Sequence, residues 1–146
     1  MSFTGIYELE SQENYVEFLE AMDLLKAKRT GTVITKIQQD GNNFTWSEST
    51  ANHTWSNTFT VGQECEMTSL GGDKFKTLII MENGQLKIQF PHSHLTAEMV
   101  DDKLVLIVVT SGENAVTLKR VFRRLGDCMS QHVLEKRHNI KPVFCL

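Results

Sequence analysis

The sequence predicts a mostly β chain: an antiparallel up-and-down barrel of ten strands with one short helical insert. Three observations predict it. From Thr32 to about Arg124 apolar residues recur with the period of a strand, two. Turn signals interrupt that pattern roughly every ten residues, so each strand is expected to pair with the next. Only one segment has the period of a helix, which excludes a parallel β-α-β design. A run of hairpins must hide one apolar face and two edges, and curling into a barrel does both.

Taken in order, residues 3–10 read as the first strand, with Gly5 admitting a bend. Ser11 suits a helix N-cap and Glu13 its first turn. Tyr15, Phe18, Leu19, Met22 and Leu25 then share one helical face, an amphipathic helix of about three turns whose apolar side lies down on the barrel. Residues 24–29 either continue this helix or begin a second short one, and Thr30-Gly31 ends it. The other nine strands are expected at 32–39, 43–50, 54–61, 64–70, 74–82, 85–91, 94–100, 103–110 and 115–124. Between them stand Asp40-Gly41, Gly62, Gly71-Gly72, Asn83-Gly84, Asp101-Asp102 and Gly112-Glu113-Asn114.

Two strands carry a polar residue on an apolar face. Val116, Leu118, Arg120 and Phe122 alternate onto one side of the last strand; Trp55, Asn57, Phe59 and Val61 do so on another. Arg120 either reaches water at a strand end or waits inside for an anion. Asn57 either bonds backbone or ordered water, or faces a ligand. Trp46, on the face of Phe44, packs a core or lines a cavity. About eight strands enclose side chains or one small ligand, so ten should leave more room. A dry core gains nothing by holding both an Arg and an Asn, whereas a cavity with water and an amphipathic anion satisfies both. The six apolar residues 104–109 read as a strand covered on both faces, or covered outside by the C-terminal tail.

Composition excludes several function classes. The 146 residues suit one domain, and the net charge of −3 does not favour nucleic acid. No apolar run approaches the ~20 residues of a membrane helix, and the N-terminus lacks a signal-peptide layout. Three cysteines (Cys65, Cys128, Cys145) without a C-x-x-C spacing fit a reducing, cytosolic compartment. His132 and His138 are six apart, and His92 and His94 lack a third ligand, so neither pair makes a metal site. No phosphate loop and no nucleophile with a nearby base is present, which argues against an enzyme and a cofactor.

Asn14-Tyr15-Val16-Glu17-Phe18, Gln38-Gln39-Asp40-Gly41, Phe44-Thr45-Trp46, Phe59-Thr60-Val61-Gly62 and Lys119-Arg120 resemble the intracellular lipid-binding proteins, the cytosolic fatty-acid-binding proteins and their relatives. The bile-acid-binding branch is the most similar, and the liver fatty-acid-binding branch follows. The resemblance spans residues 1–125 and implies a helix-lidded barrel, residues 12–29 forming the lid, that carries bile acids in a water-containing cavity. Long-chain fatty acids are the alternative cargo, and a variant with impaired lipid binding acting as an interaction module is a third reading. A cytosolic monomer with transient membrane contact is implied. Position by position, Arg120 matches the inward Arg at a ligand's anionic end, and Trp46 and Asn57 match cavity residues. Tyr15 and Phe18 match lid residues over the ligand; His53, Ser69 and His94 match positions near it.

The chain also departs from the family pattern. The lid is about one helical turn short between Leu24 and Lys28. Leu106 stands where an inward Glu is expected, Leu118 replaces a hydroxyl, and Ser93 replaces a Tyr. The loop 109–115 is longer. Residues 126–146 run past the family's end and are expected to be poorly ordered or loosely packed outside the barrel, with Asp127 capping a short helix through Val133 and Leu134.

Overall fold

In the computed structural model, which describes residues 2–27, 31–51, 53–69 and 71–126, two antiparallel sheets curl around one interior. Eleven strands form among the described residues: β1 (Gly5–Glu13), β2 (Ile34–Asp40), β3 (Asn43–Ser49), β4 (Thr54–Thr60), β5 (Glu64–Thr68), β6 (Lys74–Leu78), β7 (Ile80–Glu82), β8 (Gln85–Gln89), β9 (Ser93–Val100), β10 (Lys103–Thr110) and β11 (Thr117–Gly126). The extra strand arises because the segment expected as one, 74–82, breaks at the fully buried Ile79. There the chain leaves the two-stranded sheet β5-β6 and joins the nine-stranded sheet β4-β3-β2-β1-β11-β10-β9-β8-β7. The C-terminal extension, with its expected helix, lies outside the described residues.

Pairing of the first strand with the last makes the large sheet continuous. Tyr7 lies opposite Arg124, Leu9 opposite Phe122 and Gln12 opposite Arg120, with a register shift between Leu9 and Ser11. This pairing carries β1 on to Glu13, past the expected strand end, so Ser11 is a strand residue and not the helix cap. Asn14 takes the N-cap position in a left-handed conformation (φ 64°), which Asn tolerates better than most residues. Its side-chain Nδ2 donates to the Thr117 carbonyl at 2.9 Å, tying the turn to β11.

The helix, α1 (Tyr15–Ala21), has two turns and not three. A Schellman motif ends it: Leu24 N–H donates to the Leu19 carbonyl (2.7 Å) and Asp23 N–H to that of Glu20 (3.1 Å), with Asp23 left-handed at φ 56°. A single 3-10 turn (Leu25–Ala27) follows. The motif folds Leu24 back toward the barrel. Phe18 and Leu19 are buried with Val108 and Leu118, and Tyr15, Met22 and Leu24 pack around them. Leu118, the apolar replacement on β11, is thus part of the seat on which the lid rests.

The larger cluster extends from Phe3 to the cavity wall at Trp46, Met67, Ile88 and Leu106. Phe44 and Phe59 stack at 5.2 Å, and Phe3 meets Phe44 edge-on at 5.9 Å. The Tyr7 hydroxyl donates to the Phe3 carbonyl at 2.7 Å, which lays the ring beside Gly5; a Cβ at Gly5 would meet that ring at 3.1 Å. Inward and outward residues alternate as expected on β11, where Leu118, Arg120 and Phe122 are buried while Thr117, Lys119 and Arg123 are exposed. On β10 the outward Val105 and Ile107 are half-buried and Val109 is exposed.

Among the described residues no ladder joins β4 to β5 or β6 to β7, which belong to different sheets; the first of these seams faces the site. Side chains bridge it. Asn57 Nδ2 donates to the Thr68 carbonyl at 3.0 Å, and the Thr68 N–H donates to Asn57 Oδ1 at 2.9 Å, so one amide side chain imitates a strand's backbone pair. Trp55 Nε1 donates to the same carbonyl at 3.1 Å.

Three stability outcomes are expected. Phe44→Ala lowers unfolding free energy by about 3–5 kcal/mol, read as a lower urea midpoint at unchanged slope. Asn57→Ala, which strands the Thr68 N–H and leaves its carbonyl to Trp55 alone, costs about 1–3 kcal/mol in the ligand-free protein and speeds amide exchange at Thr68. Asp23→Gly relieves the left-handed strain and stabilises by up to about 1 kcal/mol in the same denaturation assay.

Candidate functional site

A cavity of about 220 Å³ lies between the lid and the barrel wall. Phe18, Met22 and Leu24 roof it; Trp46, Phe59, Met67, Ile88, Leu106 and Val108 form an apolar interior. Its rim includes Ser69 and Asp73 beside the β5–β6 turn and His92 between β8 and β9. Leu106, in place of an acid, makes this interior more apolar.

Arg120 sets the polar end. It is 8% exposed, and its inward position follows from strand alternation between Leu118 and Phe122. It is not unpartnered. Its Nη1 donates to Glu48 Oε1 at 3.0 Å, a charged pair, and its Nε donates to Gln12 Oε1 at 3.1 Å. The guanidinium carbon also lies 5.6 Å from the Tyr15 ring centre and 5.4 Å from that of Phe122. Glu48 reaches it from β3, where it shares the inward face with Phe44 and Trp46. Of the two readings of Arg120, the inside position holds, and Glu48 neutralises the cation there.

Of the residues expected at the site, Arg120, Trp46, Phe18 and Ser69 line the cavity together. Tyr15 lies outside the lining and stacks on Arg120. Asn57 faces inward opposite Trp46, with its amide engaged across the β4–β5 seam. His53 is exposed in the β3–β4 connection, where its carbonyl accepts the Thr50 N–H. His94 stands on the outward side of β9 beside Val109, with its Nδ1 3.1 Å from Gln89 Oε1. Sequence reasoning missed Glu48, Gln12, Met22 and Leu24 as site residues. The signal for Glu48 was present in its parity with Phe44 and Trp46; that for Leu24 was not, because only the helix stop turns it inward.

Titration is perturbed on the outer surface. The hydrogen bond that Arg123 donates to Glu8, and then the charge of Glu8, raise the pKa of Arg123, while partial burial lowers that of Lys36. Among the described residues no group of three or more His, Cys, Asp or Glu side chains is placed to hold a metal, and no helix is long and apolar enough to cross a membrane.

Comparison with known proteins agrees with this architecture. Residues 1–126 match the lipocalin / cytosolic fatty-acid binding protein family. Gastrotropin of Mus musculus is 46% identical over 131 residues, covering 86% of this chain and 100% of the relative. The crystal structure of zebrafish ileal bile acid-binding protein complexed with cholic acid is similar with a TM-score of 0.74 and 36% identity, over 84% of this chain and 98% of that one. The REP1-NXSQ fatty acid transporter is similar with a TM-score of 0.72 and 28% identity, over 84% and 95%. A curled antiparallel sheet joined through its first and last strands, lidded by a short helix and matched over nearly its whole described length, makes this chain a member of the lipocalin / cytosolic fatty-acid binding protein family.

Proposed function

We propose that this protein is a non-enzymatic intracellular carrier of amphipathic lipids, with bile acids as its cargo. The observation that carries this reading is the pairing of an apolar cavity with one buried guanidinium at its polar end. An apolar steroid body is stabilised there by about 25 cal/mol for each Å² withdrawn from water. A carboxylate or sulfonate meeting Arg120 adds a charge-assisted bond of about 1.5–3 kcal/mol. The similarity to gastrotropin supports bile acids over fatty acids.

Access requires motion. A cavity of about 220 Å³ is smaller than the roughly 300–1,000 Å³ of most small-molecule sites. A steroid fits once Phe18, Met22 and Leu24 swing away from the Val108–Leu118 seat. Because α1 spans only two turns and rests on a small cluster, the lid opens readily and the ligand leaves quickly.

Calorimetric titration of the delipidated protein with taurocholate and, separately, with oleate tests the reading. Saturable taurocholate binding that weakens at least tenfold in Arg120→Ala supports it. Tighter oleate binding keeps the carrier and changes its cargo. Absence of heat with both ligands from protein that unfolds cooperatively overturns it in favour of an interaction module. Stopped-flow release of a fluorescent bile-salt analogue should be fast, and faster still in Phe18→Ala; a slow rate that ignores this substitution contradicts lid control.

A further inference from the structure

We propose that Glu48 is a built-in counter-ion which an anionic ligand must displace from Arg120, and that it sets the cavity's preference among amphiphiles by the charge of their head group. The inference rests on the carrier reading and concerns which cargo that site favours.

The pair spans the interior. In the sheet order β3-β2-β1-β11, three strand steps separate Glu48 from Arg120, a path of about 14 Å along the wall at ~4.8 Å per step. Two long side chains meet across the curl, with Nη1 3.0 Å from Oε1. Gln12, opposite Arg120 on β1, accepts from Nε and fixes the plane of the guanidinium. Tyr15 and Phe122 lie against it. Glu48 thus occupies a hydrogen-bonding position that a ligand carboxylate would take, on a fork suited to two parallel acceptors.

The charge balance of the cavity gives this arrangement its effect. Among the described lining residues Arg120 is the one arginine or lysine, and Glu48 and Asp73 are acids; His92 stands at the rim. With Glu48 in place, an incoming anion meets a neutralised pair and a like charge within bonding distance of its target. It binds only after Glu48 swings away toward solvent, to which its paired side chain is already 22% exposed. An amphiphile with the same apolar body and a hydroxyl head pays no such penalty: it can hydrogen-bond to the intact pair. Wild-type protein should therefore discriminate weakly between charged and uncharged heads, and removing the Glu48 charge should create a strong preference for the anion.

The test uses taurocholate, whose sulfonate stays ionised, and the C24 alcohol of the same steroid, each titrated into full-length wild-type protein, Glu48→Gln and the double variant Glu48→Gln/Arg120→Ala. Glutamine is nearly isosteric and keeps a carbonyl acceptor for Nη1. Taurocholate is expected to bind Glu48→Gln at least tenfold more tightly, about 1.4 kcal/mol, with a change below threefold for the alcohol, and the gain should vanish in the double variant. Equal or weaker taurocholate binding in Glu48→Gln overturns the counter-ion role while leaving the carrier intact. A parallel gain for both ligands also overturns it, since head-group charge would then be irrelevant. Failure of all three folded proteins to bind either ligand overturns the carrier reading and this inference with it.

Discussion

Pairing of the first strand with the last is the constraint on which the rest of this molecule depends. Without it the nine-stranded sheet would be two, β4-β3-β2-β1 and β11-β10-β9-β8-β7, and the free β1 and β11 edges would expose backbone donors. Joining Gly5–Glu13 to Thr117–Gly126 makes both strands interior members of the sheet. The consequences reach the site directly. Gln12 comes opposite Arg120, the chain turns at Asn14 over Thr117, and the helix that follows lands on Leu118 and Val108. The lid, the guanidinium and its amide partner are therefore positioned by one ladder of hydrogen bonds.

Closure is complete on that side and incomplete on the other. Between β4 and β5 no strand ladder forms, and the chain switches sheets at Ile79. Asn57 and Trp55 span the opening through the backbone of Thr68. A side-chain bridge of this kind satisfies the polar groups without the cooperativity of a continuous ladder, which leaves the wall near the cavity more deformable than the β1–β11 seam.

The polar end of the cavity follows a different logic. A guanidinium inside an apolar barrel carries a desolvation cost that only close partners offset. Glu48, Gln12, Tyr15 and Phe122 supply those partners and make the ligand-free state self-sufficient. A cavity that satisfies itself this way trades raw affinity for a stable empty state, which suits reversible loading.

Local pattern determined much of this protein. Alternation marked which face of each strand turns inward, placed Arg120, Asn57 and Trp46 inside, and located the hairpin turns, because side-chain direction in a strand depends only on parity. The helix was legible from its apolar spacing, though its end was not: Asp23 stops it by a left-handed turn that a two-residue window does not announce. Tertiary structure decided the partners. Glu48 lies 72 residues from Arg120, and Thr68 lies 11 from Asn57 on a strand that never joins its ladder. Parity says that a group points inward; only the curl of the sheet says what it meets there, Glu48 for Arg120 and the Thr68 backbone for Asn57.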